Sequence, residues 1–150
     1  MKSLSVMAAA TMAGLVFAGS AMAEDHQIEM YTRGPDGGSM VFVPNYLEVA
    51  PGDTVTFVST QPTHNAQSIP GMLPEGAELF TGRMNQDVSV TLTEEGVYGV
   101  KCLPHYGMGM VALIKVGEGE PANLEEASGV RHPPLARRTL EGLLAQAAAE

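Results

Sequence analysis

The sequence predicts an all-β fold, a Greek-key β-sandwich or barrel, followed by two α-helices at the C-terminus. Between residues 28 and 116, short runs of β-branched and aromatic residues alternate with Gly, Pro, Asn and Asp, a pattern typical of sandwiches and barrels. Within several of these runs, apolar and polar residues alternate strictly, as half-buried strands require. After Gly117 the composition shifts to Ala, Leu and Glu, which favours helices.

The first 23 residues have the features of an export signal. Lys2 precedes an apolar run, and Ala21-Met22-Ala23 is a typical cleavage site. The alternative, a membrane anchor, is weaker because the run is interrupted by Ser and Gly and is shorter than the ~20 residues of a spanning helix. We expect a soluble mature chain of residues 24–150, with one domain and residues 118–150 as its helical extension.

The predicted strands are short and separated by turns. Val55 and Phe57 lie on one face of their strand, and Tyr98, Val100 and Cys102 lie on one face of another. After the next loop, the row that begins at Met110 and continues with every second residue also faces one way. Strands are predicted at residues 40–43, 46–49, 54–58, 88–92 and 97–102, with turns at 34–38 and 50–53.

Two further segments complete the prediction. Residues 64–85 contain several Pro and Gly residues and are interpreted as a loop with a short helix near residues 77–80. In the C-terminal segment, Asn123 caps a short helix that ends at Ala127. Pro133-Pro134 opens a second helix that ends near Ala148. Its apolar stripe, expected to pack on the outside of the β domain, consists of Leu135, Thr139 or Leu140, Leu143 and Leu144.

Composition and charge exclude several classes of function. The chain has 8 Lys and Arg residues against 17 Asp and Glu residues, for a formal net charge of −9, so nucleic acid is a poor partner. The single cysteine cannot form an internal disulfide. No general base is paired with a nucleophile, and no open coordination position is evident, so we do not expect an enzyme.

Three of the candidate functional residues lie on one loop. Cys102, His105 and Met110 follow the spacing C-x2-H-x4-M on a loop rich in Gly and Pro. Taken singly, each residue type is usually found in a core or on a surface. Taken together, with His64 as the second imidazole, they supply the thiolate, two imidazoles and weak thioether of an electron-transfer copper site. We expect Asn65 to tie the two ligand segments together through backbone groups, and backbone N–H groups to approach the Cys102 sulfur.

Two rival interpretations remain open. The first is an exported protein that binds or delivers copper without passing electrons, although such sites usually lack a thiolate. The second is a structural zinc site at the same ligands, which loses to copper in the usual order of affinities. His26 and His132 have no ligand-type neighbours at useful spacing, and both are expected to be exposed to solvent.

The sequence resembles the pseudoazurins, which are type 1 blue copper proteins of the cupredoxin family. The resemblance lies in residues 98–110, 49–55 and 71–77 and extends over the mature chain, including the helical tail. It implies a cupredoxin fold with one copper ion bound by His64, Cys102, His105 and Met110, with Met40 packed near the His105 ring.

The resemblance also implies a role and a partner. Members of this family are periplasmic monomers that shuttle single electrons to copper nitrite reductase or a c-type cytochrome. Electrons leave through the edge of His105, within an apolar patch that here comprises Leu103, Pro104, Met108 and Met72. Pseudoazurins usually surround that patch with lysines. In this chain Pro35, Pro62 and Pro70 stand at such places and Arg33, Arg83 and Lys101 remain, so we expect weaker electrostatic steering of the partner.

Overall fold

The computed structural model describes residues 22–149, so the predicted export signal lies almost wholly outside the described residues. Within them, eight strands form two four-stranded sheets, and two helices follow. The strands are β1 (Asp25–Arg33), β2 (Ser39–Val43), β3 (Tyr46–Val49), β4 (Asp53–Val58), β5 (Gln67–Ser68), β6 (Val88–Leu92), β7 (Gly96–Lys101) and β8 (Val111–Val116). The helices are α1 (Leu124–Ser128) and α2 (Pro134–Ala149).

The first sheet has the strand order β2-β1-β4-β6 and the second has the order β3-β8-β7-β5. The pairs β1–β4 and β3–β8 are parallel, whereas the other pairs are antiparallel. The sheets pack face to face, as the sequence predicts, and the all-β class with two C-terminal helices is confirmed.

Two hydrophobic clusters lie on opposite faces of the second sheet. The side chains of Tyr98, Val100 and Cys102 point toward the first sheet, together with the row that begins at Met110. The alternate residues Val111 and Leu113 point the other way and pack against α2. Every residue of β8 is therefore buried. The predicted alternation is confirmed, and the strands that flank the ligand loop lie in the best-covered part of the molecule.

The predicted helix near residues 77–80 is absent. This segment is not helical, because Phe80 hydrogen-bonds Ser68 of β5. Ser68 N donates to the Phe80 carbonyl at 3.0 Å, and Phe80 N donates to Ser68 Oγ at 2.9 Å. Backbone and side-chain partners from a neighbouring strand thus replace the internal hydrogen bonds that a short helix would have supplied.

The C-terminal helices correspond closely to the prediction, with two differences. Asn123 precedes α1 but makes no side-chain cap. Instead its side chain accepts from Val97 N at 2.8 Å and donates to Val97 O at 2.9 Å, which fastens α1 to β7. Leu135 does not belong to the buried stripe, because 54% of it is exposed. The stripe consists of Ala136, Leu140, Leu143, Leu144 and Ala147.

His26 is half-buried rather than exposed, because it binds a buried carboxylate. Its Nε2 lies 2.8 Å from Oδ2 of Asp53, which is only 4% exposed. Asp53 also accepts from Glu24 N at 2.9 Å and from Ala50 N at 3.0 Å. These hydrogen bonds lower the pKa of Asp53, the one from Glu24 most strongly and the one from His26 next.

Candidate metal centre

Three of the predicted ligands converge at one end of the sandwich. His64 Nδ1 lies 3.7 Å from Cys102 Sγ, His105 Nδ1 lies 3.5 Å from Cys102 Sγ, and the two Nδ1 atoms are 3.1 Å apart. His64 and Cys102 are fully buried, and His105 is half-buried. Within residues 22–149, no other group of three His, Cys, Asp or Glu side chains is placed to hold a metal ion.

The spacing of these three atoms fits a small transition-metal ion. The point equidistant from three atoms with these separations lies about 2.0 Å from each of them, close to the ~2.0–2.3 Å of metal–nitrogen and metal–sulfur bonds. One thiol sulfur and two imidazole nitrogens around one point form the trigonal set that suits copper. The residues present therefore fit a copper ion.

The ligand loop is closed at its base by backbone hydrogen bonds. Cys102 N donates to Met110 O at 3.1 Å, and Met110 N donates to His105 O at 3.2 Å. Between these contacts the chain makes one 3-10 turn at Tyr106–Met108, and Gly109 ends this turn with a φ of 88°, a conformation that favours glycine. The spacing C-x2-H-x4-M thus corresponds to one closed loop.

Met110, the fourth predicted ligand, is fully buried at the start of β8 and packs in the same cluster as Cys102. Its backbone contacts both Cys102 and His105. Met40 lies half-buried against this cluster, so it packs in the same core. Its predicted approach to the His105 ring stays a prediction.

His64 reaches the site from the segment that follows β4. The backbone on either side of it is held by Asn85, whose N donates to His64 O at 2.8 Å and whose Oδ1 accepts from Thr63 N at 2.5 Å. Thr63 has a φ of 76°, a value that is rare for a β-branched residue. These contacts fix His64 opposite the ligand loop, although it stands 38 residues before Cys102.

Asn65 joins the two ligand segments, as predicted. Its Oδ1 accepts from Leu103 N at 2.8 Å, and its Nδ2 donates to Gly82 O at 3.1 Å. Asn65 is 3% exposed, so these contacts satisfy a buried amide. Asn65, the residue after His64, therefore holds Leu103, the residue after Cys102, at a fixed distance.

Burial sets the protonation of the metal-free donors. Burial raises the pKa of the Cys102 thiol, although hydrogen bonds from the backbone N–H groups of Asn65 and His105 act in the opposite direction. Burial, and secondarily the charge of His105, lowers the pKa of His64. Burial thus favours the uncharged thiol and the uncharged imidazole, and a metal ion that binds the thiolate displaces the thiol proton.

An apolar surface surrounds the exposed side of His105. Leu103 is 57% exposed and Met108 is 53% exposed, and Pro104 lies between Leu103 and His105. Met72, which the resemblance implies in this patch, is fully buried instead, because it packs between Gly99 of β7 and the α2 cluster. Leu135 lies directly beside Gly109, so the first turn of α2 extends the apolar surface.

His132, which lies just before α2, connects the start of α2 to the ligand loop. The Tyr106 hydroxyl hydrogen-bonds His132 Nδ1 at 2.5 Å, and Lys101 Nζ lies 4.8 Å from the centre of the Tyr106 ring. His132 is therefore half-buried rather than exposed as expected. Burial first, and the Lys101 charge second, lower its pKa. Sequence reasoning missed this contact because it joins residues 26 positions apart.

Comparisons with known proteins agree with this geometry. Residues 28–117 match the family described as copper binding proteins, plastocyanin/azurin family. The pseudoazurin of Paracoccus pantotrophus is 43% identical over 140 residues, which cover 93% of this chain and 95% of that protein.

Solved structures agree as well. The crystal structure of pseudoazurin from Methylobacterium extorquens AM1 superposes with a TM-score of 0.76 and 43% identity, covering 81% of this chain and 98% of that one. The pseudoazurin of Hyphomicrobium denitrificans gives the same TM-score with 40% identity, covering 81% and 97%.

Proposed function

This chain belongs to the plastocyanin/azurin family of copper-binding proteins and, within it, to the pseudoazurins, and on that premise we propose that it is a one-electron carrier whose copper ligands are His64, Cys102, His105 and Met110. The observation that carries the proposal is the convergence of one sulfur and two ring nitrogens on a point about 2.0 Å from each.

Each ligand has a distinct role. When bound, copper supplies a centre that alternates between Cu(II) and Cu(I). Cys102 would contribute the thiolate, His64 and His105 the two imidazoles, and Met110 a soft, weak thioether ligand. Asn65 and the closed loop hold the ligand segments in place through protein hydrogen bonds, so little need move when the electron arrives.

The electron leaves through His105, the half-buried imidazole of the site. The exposed apolar side chains of Leu103, Met108 and Leu135 lie on this end of the molecule, and apolar contact surrounded by polar groups is how transient redox partners dock. The partner is a redox protein such as copper nitrite reductase or a c-type cytochrome. The carrier is a monomer and binds one partner molecule at a time.

We place the mature protein, residues 24–150, in the periplasm as one domain. The proposal rests on the export signal and on its cleavage site after Ala23. No helix within residues 22–149 is long and apolar enough to cross a membrane. We propose a carrier rather than an enzyme, because the four ligands leave no open position at which a substrate binds.

The absorption spectrum of the copper-loaded protein tests this function. We expect an intense blue or green colour from thiolate-to-copper charge transfer, together with reversible bleaching when a one-electron reductant is added. A copper delivery protein would transfer its ion to a chelator within the mixing time, which the burial of His64 and Cys102 opposes. A copper-loaded protein without colour would refute the electron-carrier proposal.

A further inference from the structure

Both ring nitrogens of His64 have a neighbour. Nδ1 faces Cys102 and His105, whereas Nε2 lies 3.0 Å from the hydroxyl oxygen of Thr32. A neutral imidazole carries its proton on one nitrogen and offers a lone pair on the other. A metal ion bound at Nδ1 therefore requires the proton on Nε2, and this N–H requires an acceptor.

A second contact allows the Thr32 hydroxyl to be that acceptor. Its oxygen also lies 3.5 Å from the carbonyl of Pro62, a group that only accepts hydrogen bonds. When the hydroxyl donates to Pro62, its lone pairs face His64. We propose that Thr32 is a positioning residue of the metal site, because its hydroxyl accepts from His64 Nε2–H and selects the tautomer that directs the Nδ1 lone pair at the metal. The inference rests on the proposed function, since it takes His64 as a ligand.

The opposite tautomer has a partner of its own in the metal-free protein. The Nδ1 atoms of His64 and His105 are 3.1 Å apart, so a proton on His64 Nδ1 is donated to His105. An acceptor at Nε2 favours the metal-binding tautomer over this one. An apolar side chain in place of Thr32 leaves the Nε2–H of a fully buried ring without a partner, which disfavours metal binding.

Thr32 is held in register with His64 by Gln61. The side-chain oxygen of Gln61 accepts from Thr32 N at 2.7 Å and from Arg33 N at 3.0 Å, and Gln61 N donates to Met30 O at 3.1 Å. The end of β1 is therefore held against Gln61, which lies three residues before His64. Through this contact the first sheet orients a ligand whose metal-binding neighbours, Cys102 and His105, follow the second sheet.

The test compares Thr32→Val with Thr32→Ser. Thr32→Val keeps the shape and removes the hydroxyl, so we expect Cu(I) affinity, measured by competition with a bathocuproine chelator, to fall about 10- to 100-fold. Thr32→Ser should remain close to wild type. In ¹⁵N-labelled Cu(I) protein, the His64 Nε2 proton should exchange with water faster in Thr32→Val than in wild type, and Thr32→Ser should restore the slow exchange.

Thr54→Val is the matched control, because it removes a hydroxyl that bonds Thr91 on the same sheet at 2.9 Å. We expect unchanged Cu(I) affinity in this control. Thr32→Ala, checked for folding by circular dichroism, repeats the test if Thr32→Val does not fold. Wild-type affinity and proton exchange in Thr32→Val or Thr32→Ala, while His64→Ala has lost the colour, would overturn this inference alone. Retention of colour and affinity in His64→Ala would overturn the ligand assignment and this inference with it.

Discussion

Two ends of the sandwich each place a histidine beside a buried ionisable group, but they differ in how that group is satisfied. At one end, the Asp53 carboxylate accepts from His26 and from the backbone N–H groups of Glu24 and Ala50. At the other end, Cys102 faces His64 and His105. We refer to these as the Asp53 end and the Cys102 end.

The difference lies in where the donor atoms point. The Asp53 oxygens face hydrogen-bond donors, so the buried carboxylate is satisfied within the protein and the group is structural. At the Cys102 end, three atoms with lone pairs face one another, an arrangement that is stable only when protons or a metal ion lie between them. A buried titratable group beside a histidine therefore indicates a metal centre only when the lone pairs converge.

The largest effect expected is the loss of the chromophore in Cys102→Ser. The hydroxyl does not ionise to replace a soft thiolate, so the variant should be colourless and bind copper far more weakly. Absorption spectroscopy and copper titration measure both effects. Thermal unfolding of the metal-free variant should remain close to that of the metal-free wild type, because the smaller Ser hydroxyl can hydrogen-bond the imidazole nitrogens that face this position.

The second prediction concerns the connection between the ligand segments. Asn65→Ala removes the acceptor of Leu103 N and the donor to Gly82 O. We expect copper affinity to fall about tenfold, as for other residues that orient ligands, and the metal-free protein to unfold at a lower temperature. Wild-type affinity in this variant would show that the closed loop alone positions Cys102 and His105.

The Asp53 end should give the reverse outcome. Asp53→Asn replaces a buried carboxylate that accepts three hydrogen bonds with an amide that cannot accept them all. We expect the melting temperature to fall by several degrees while the colour of the copper protein stays unchanged. A changed spectrum in Asp53→Asn would refute the separation of the two ends.

The pH dependence sharpens the same comparison. The pKa of Asp53 is lowered in the folded protein from its model-peptide value of 3.8, so its contribution to stability is complete above that value and is lost as the pH falls through the lower folded pKa. The difference in melting temperature between wild type and Asp53→Asn should thus be constant near neutral pH and shrink below about pH 4. A difference that grows on acidification would contradict this assignment.

The smallest effect concerns docking at the Cys102 end. Proline stands at residues 35, 62 and 70, and the exposed Arg131 adjoins His132, which hydrogen-bonds Tyr106 of the ligand loop. We expect a partner that is less acidic than usual for the family, so electron-transfer rates should fall only modestly as salt rises, and Arg131→Gln should reduce that dependence further. A steep loss of rate with salt in the wild-type protein would refute this prediction.

Local patterns predicted most of the fold and the convergence of three ligands. Strand alternation identified the inward row that ends at Cys102, and the spacing C-x2-H-x4-M identified the closed loop. The errors came from contacts between distant segments. Phe80 is not helical because it hydrogen-bonds Ser68, and Met72 is buried because α2 covers that face. Thr32 and His132 carry no local signal, since their role depends on side chains about 30 positions away.

The backbone hydrogen bond from Cys102 N to Met110 O has an evolutionary consequence. None of the seven residues that it encloses, 103–109, is buried, whereas the strands on either side are covered on both faces. Apart from His105 and the half-buried Tyr106, the enclosed segment can therefore change in length and composition at little cost in core packing. Evolution can therefore alter the reduction potential of such a protein by changing this segment, while the β-sandwich stays the same.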